Sequence, residues 1–246
     1  MLATMLFATV PALAEESDLP AVGDKMHGFT VTEVGTEALI NAPRILFEHD
    51  KTGAQVLYLA SDDIDCSFDI SFKTPNLNSK GISHVFEHIC ISGSEKYPAQ
   101  NMFFPLISQT YNTFVNAMTY PTMTTYPLSS MSEDQLLAMA DYYLDGVFHP
   151  LVYQDERFYK REAWRYTLAD KDAPLSLTGT VYNEMRGNDT INNAAHYALL
   201  KALFPDSILS NVNGGDPNHI PEMTWQELLD FHQTYYHPSN SLTVLY

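Results

Sequence analysis

The sequence predicts an α+β fold, a largely antiparallel mixed sheet with helices packed on one face. Three observations predict it: strand-like segments fill the first third of the chain, helical stretches dominate the rest, and a strand-like run at 241–246 closes it. Hydrophobic residues make up 45% of the 246 residues and aromatic residues 12%, which suits a folded core rather than a disordered chain. That length allows one large domain or two small ones.

Residues 2–14 are apolar and small and end Ala12-Leu13-Ala14 before Glu15-Glu16, like the core and cleavage site of an export signal. The stretch lacks a basic start and is too short to span a membrane. The expectation is a signal-peptide remnant over 1–14, a folded domain over 15–246, and an exported (periplasmic or extracellular) protein. Residues 28–33 and 44–47 read as strands, Asp50-Lys51-Thr52-Gly53 as a turn with Gly53 at positive φ, and 54–60 as the returning strand. In 66–72, Phe68, Ile70 and Phe72 alternate with Ser67, Asp69 and Ser71, the period of a half-buried strand.

A polar loop over 74–81 leads into a helix that Gly93 ends. Residues 101–110 read as helical and 113–126 as extended, with Pro121 and Pro127 confining that stretch to a sheet edge or turns. Ser132 and Gln135 form a capping box for a helix to about Val147. Further helices are expected over 154–166, 177–186 and 194–203. Asn213-Gly214-Gly215-Asp216-Pro217 reads as a loop, and Thr224 with Glu227 caps a helix to about Tyr236. Because the chain stops inside a strand-like run, the domain is expected to be truncated at its C-terminal end.

The chemistry concentrates in His84-Val85-Phe86-Glu87-His88, an H-x-x-E-H on the first helix. Residues four apart share a helix face, so His84 and His88 can aim two imidazoles at one zinc ion. Glu87 lies beside them, close enough to act on a water without occupying a ligand position. An accidental copy of the pattern would sit on a solvated face. Here Val85, Phe86, Ile89 and Ile91 are apolar, and imidazoles and a carboxylate beside a core need a partner such as a metal.

The net charge of −17 argues against nucleic acid as a partner, because phosphate binding needs clustered Lys and Arg. It could favour cationic peptides, or it could simply keep the protein soluble. Cys66 and Cys90 form no C-x-x-C and no disulfide framework. Cys90 follows His88 by two residues, about 200° around a helix, and so points away from the metal. His149 and His237 precede prolines and read as turn residues, whereas His27, His49, His196, His219 and His232 have no partner at metal spacing. Trp164 and Tyr182 read as core.

The chain resembles the M16 (pitrilysin/insulinase) metallopeptidases, most closely their presequence-protease-like branch. The resemblance runs from about Gly28 to Tyr246 and rests on seven ordered blocks. Besides the Gly81-Ile82-Ser83 run into His84, these are His49-Asp50-Lys51-Thr52-Gly53-Ala54, Ser92-Gly93-Ser94-Glu95-Lys96-Tyr97-Pro98, Asn116-Ala117-Met118-Thr119-Tyr120-Pro121, Val181-Tyr182-Asn183-Glu184-Met185-Arg186-Gly187, Gly214-Gly215-Asp216-Pro217 and Tyr235-Tyr236-His237-Pro238-Ser239-Asn240. It implies an M16-type metallohydrolase fold with one zinc per chain, bound by His84, His88 and a downstream glutamate. Glu184, 96 residues beyond His88, matches that glutamate. Glu162, 74 residues beyond, is the rival and otherwise a supporting carboxylate.

Glu87 is then the implied general base, and Asn116, Ala117 and Met118 match the sheet edge to which family members add a substrate backbone. Members of this branch are several times longer and enclose a chamber between two halves, of which this chain matches the first domain only. The implied partners are a peptide substrate and a second half or subunit. Two functions follow: a zinc endopeptidase acting on unfolded peptides, or a non-catalytic M16-fold subunit or fragment that binds zinc or peptide without turnover.

Overall fold

Alternation in the fifth strand sets the architecture. Phe68, Ile70 and Phe72 are buried, while Ser67, Asp69 and Ser71 between them are half-buried. The neighbouring strand continues both faces: Phe68 pairs with Leu128 and Ile70 with Tyr126, whereas Ser67 pairs with Ser129 and Ser71 with Thr125. One face of the sheet is therefore apolar and takes the helices.

The computed structural model describes residues 19–99 and 102–246; the expected leader over 1–14 lies outside them. The chain opens with β1 (Lys25–Met26), β2 (Phe29–Glu37), β3 (Ala42–His49), β4 (Gln55–Leu59) and β5 (Cys66–Lys73), followed by α1 (Ile82–Cys90) and α2 (Phe103–Gln109). Next come β6 (Asn112–Val115), β7 (Met118–Thr119), β8 (Met123–Ser130), α3 (Glu133–Phe148) and α4 (Arg157–Glu162). A hairpin of β9 (Arg165–Thr167) and β10 (Ser176–Thr178) precedes α5 (Thr180–Gly187), α6 (Ile191–Leu203), α7 (Trp225–Tyr235) and β11 (Ser241–Leu245).

The main sheet runs β1-β2-β3-β4-β11-β5-β8-β6, with β7 also paired to β8. Its pairings are antiparallel except that of β11 with β4. The last strand thus enters the middle of the sheet, between β4 and β5. Helices α1, α3, α4, α5 and α7 pack with the apolar face of β5 and β8 into one core that includes Phe86, Met139, Tyr159, Val181 and Leu228.

Several expectations shift for tertiary reasons. Ser132 is the N-cap of α3 but its side chain caps nothing, because the Gln135 side chain instead accepts the Tyr111 N–H at 2.7 Å. The Thr224–Glu227 capping box forms in full. The helix expected over 154–166 is only α4, and Leu177 belongs to β10, because strand pairing claims Arg165 and Leu177. Pro127 lies within β8, which is paired on both sides. Its carbonyl accepts the Asn116 N–H at 3.2 Å, so its missing N–H faces the gap between β6 and β7, where no ladder bond is lost.

Helix α3 crosses the C-terminal end of α1 at Gly146, where a Cβ would stand 2.2 Å from the Cys90 carbonyl oxygen. Gly146→Ala is therefore expected to destabilise the fold by about 1–3 kcal/mol, seen as a lower urea midpoint at unchanged slope.

Candidate active site

Helix α1 starts at Gly81, which holds the left-handed conformation (φ 69°, ψ 31°) as N-cap. Glycine is required there twice over. The conformation disfavours a side chain, and a Cβ would meet the Gly214 carbonyl oxygen at 2.5 Å and the Gly215 Cα at 2.7 Å. The loop carrying Gly214 thus lies directly on the first turn of α1, tied by the Asp216 N–H to the Ser79 carbonyl and by the Val212 N–H to Ser79 Oγ. One result is a hydrogen bond of 3.0 Å from His84 Nδ1 to the Gly214 carbonyl. A carbonyl only accepts, so Nδ1 carries the proton and Nε2 offers its lone pair to the cleft.

Both imidazoles turn Nε2 toward α5. His84 Nε2 lies 3.6 Å from Glu184 Oε1, and His88 Nε2 lies 3.5 Å from Glu184 Oε2. His84, His88 and Glu184 form a cluster whose ligand atoms all lie within 4.8 Å of one another. Two ligands at 2.0–2.1 Å from a tetrahedral zinc stand roughly 3.3 Å apart, so this donor set fits zinc. Glu162 is buried and approaches from the other side, 3.6 Å from His88 Nδ1. It therefore meets the nitrogen that faces away from the cluster.

The surroundings of His88 explain its charge preference. Burial pulls its pKa down, but the Glu162 contact and the negative charge of Glu87, Glu162 and Glu184 outweigh it and hold the ring above the usual histidine value. Burial pushes the Glu162 carboxyl up, yet the neighbouring His88 and the bond from Arg161 hold it below the usual glutamate value. Arg161 Nε donates to Glu162 Oε1 at 2.7 Å, and Ser92 Oγ donates to the His88 carbonyl at 2.7 Å.

Glu87 is buried and accepts the Thr119 hydroxyl at Oε2, 2.6 Å away. Thr119 lies in β7, and its carbonyl accepts Asn213 Nδ2 at 2.8 Å. His84, Glu87, His88, Ala117, Glu184 and Asn213 line one open cleft of about 960 Å³. Asn116, Ala117 and Met118 border it, but their backbones differ. Asn116 spends its N–H on Pro127 and its carbonyl on the Tyr143 hydroxyl, so it faces the sheet.

Thr119, Asn213, Ser92 and Arg161 escaped the sequence reading as site residues. Thr119 lies in a block already notable and Asn213 adjoins one, but their contacts cross 32 and 94 residues and have no local signal, whereas Ser92 and Arg161 reach His88 and Glu162 within four residues. Of the other histidines, His232 is buried with Nε2 against the Val147 carbonyl, His237 caps a short turn, and His196 lines the cleft. Cys66 and Cys90 are both free, and burial pushes the Cys90 thiol up.

The fold is that of pitrilysin-like proteins. The crystal structure of pitrilysin superposes with a TM-score of 0.67 at 19% identity, covering 89% of this chain and 22% of that one. A protease from Helicobacter pylori gives 0.65 at 17% identity, covering 87% and 45%. Residues 74–198 match the family model for insulinase (peptidase family M16). The chain belongs to peptidase family M16.

It is 37% identical to Protein HypA of Clostridium perfringens over 89% of this chain and 23% of that protein. Identity is 39% with the mitochondrial presequence protease of Mus musculus, covering 89% and 21%. It is also 39% with presequence protease 1 (chloroplastic/mitochondrial) of Arabidopsis thaliana, covering 80% and 18%. The chain thus spans about a fifth of the length of these relatives. The names of the two presequence proteases overturn the expectation of export, since they are mitochondrial and chloroplastic/mitochondrial proteins. An apolar run with a small-residue end is a short pattern, and similarity over 80–89% of the chain outweighs it.

Replacing Gly81 with Ala should cost about 1–2 kcal/mol from the left-handed backbone alone. It should also push Gly214 off His84, which the imidazole nitrogen shifts of His84 in an NMR spectrum would report.

Proposed function

We propose that this chain is the zinc-binding peptidase domain of an M16 enzyme that hydrolyses unfolded peptides. The observation that carries the reading is the convergence of His84 Nε2, His88 Nε2 and both Glu184 oxygens, with Glu87 beside them and outside the ligand set. His84, His88 and Glu184 would hold one zinc. When bound, zinc lowers the pKa of water towards about 7 and polarises a scissile carbonyl.

The protein's own groups do the rest. Glu87 takes a proton from the attacking water and passes it to the leaving amine, with Thr119 fixing the orientation of its carboxylate. Gly214 and Glu162 hold the two rings through their Nδ1 atoms, the usual supporting role around a metal-binding histidine. The edge at Ala117 offers backbone groups to an extended chain, which favours unfolded peptides over folded proteins. The cleft lining also carries Asp189 and Asp216 and, among the described residues, no lysine or arginine, a composition suited to cationic peptides.

A second M16 half or subunit would complete the enclosure around this cleft. A non-catalytic module would have no use for a buried base held by a hydroxyl, and this favours the catalytic reading.

Glu87→Gln should bind zinc as the parent does and lose at least about 100-fold in cleavage of a quenched peptide. Cleavage by the parent at chelator-insensitive rates would rule out zinc chemistry. Glu162→Gln should weaken zinc binding by about 10–100-fold in a chelator competition, whereas Glu184→Ala should lose more.

A further inference from the structure

One residue that none of the preceding roles requires, Asn213, links the loop on His84 to the strand residue on Glu87. Asn213 Nδ2 donates to the Thr119 carbonyl at 2.8 Å, and the Asn213 N–H donates to the Tyr197 hydroxyl at 3.3 Å. The next residue, Gly214, supplies the carbonyl on His84, and Thr119 itself supplies the hydroxyl on Glu87. Asn213 Oδ1 is buried without a hydrogen-bond partner. A flipped amide would set two acceptors against each other at Thr119, so the orientation is fixed by the cap it makes. The loop bears an unsatisfied buried acceptor in order to make that cap.

The direction of the capped carbonyl gives the contact meaning. The Tyr120 N–H donates to the Met123 carbonyl, so Tyr120 faces β8. Backbone groups of adjacent strand residues point to opposite sides, so Thr119 faces outward, and Ala117, two residues earlier, does the same. The Ala117 N–H is taken by Asn116 Oδ1 at 3.0 Å, while among the described residues no hydrogen bond reaches the Ala117 carbonyl. This edge of the cleft therefore offers two outward carbonyls, one open among the described residues and one already occupied.

We propose that Asn213 is a specificity-determining positioning residue: by capping the outward carbonyl of Thr119, it makes an extended peptide pair with the edge at Ala117 and not at Thr119. This rests on the reading of the cleft as a peptide site. Because Thr119 also orients Glu87, the cap fixes the pairing register relative to the base. A peptide shifted by two residues would place a different bond before Glu87.

The test is a backbone N-methyl scan of an unfolded peptide bound to the whole chain carrying Glu87→Gln with zinc, so that nothing is cut, read by fluorescence anisotropy. Removing one peptide N–H that pairs with the edge should weaken binding by about 3–10-fold. With Asn213 present, the sensitive amide is the one that reaches Ala117, and the amide two residues along toward Thr119 is insensitive. In Asn213→Ala that second amide becomes sensitive. Asn213→Asp, which keeps the side-chain volume and loses the donor, should do the same if the alanine variant fails to fold. An unchanged sensitivity pattern in a folded variant overturns the role of Asn213 and leaves the peptide site standing. Binding that no N-methyl group weakens, in parent or variant, overturns edge pairing and the inference with it.

Discussion

The approach of Gly81 to Gly214 and Gly215 is the contact on which the site depends. Three glycines meet there: a Cβ on Gly81 would collide with the backbone of Gly214 and Gly215, one on Gly214 with the Met185 side chain, and one on Gly215 with the Ile220 side chain. The loop over 211–216 therefore lies against the first turn of α1 with no side chain between them. From that position two successive residues act on opposite sides of the cleft. Gly214 fixes the tautomer of His84, and Asn213 fixes Thr119, which holds Glu87. A bulkier residue at any of the three would disturb both the His84 ring and the carboxylate beside it.

Burying these groups is costly unless each has a partner, and the structure supplies one in every case. Glu162 is compensated by Arg161 and His88; Glu87 has Thr119; His84 has a carbonyl. Glu184 is the more open member, with 44% of its side chain exposed. An exposed carboxylate retains water when it has no cation, whereas the buried Glu162 could not do without Arg161. That difference in solvation separates the two glutamates more clearly than their spacing from His88 does.

Helix placement follows from the sheet. The apolar face of β5 and β8 takes α1 and α3, and Gly146 lets α3 come close enough to fix the far end of α1. Gly179 allows α5 to start against the end of α4, since a Cβ there would stand 2.1 Å from the Ala163 carbonyl oxygen. Glu162 on α4 and Glu184 on α5 therefore reach the same histidine from different sides.

The α+β class, the period of β5, the turn at Gly53, the capped start of α7 and the H-x-x-E-H face were all legible in the sequence, because each depends on residues within a few positions of one another. The same locality misled at Ser132, where Gln135 is drawn to Tyr111, and at 154–166, where pairing with β10 interrupts the helical pattern. What the tertiary structure alone decided is the insertion of β11 between β4 and β5, the side from which each glutamate meets His88, and the link from Asn213 through Thr119 to Glu87. These depend on direction across the fold rather than on periodicity, and a sequence encodes direction only through the packing it produces.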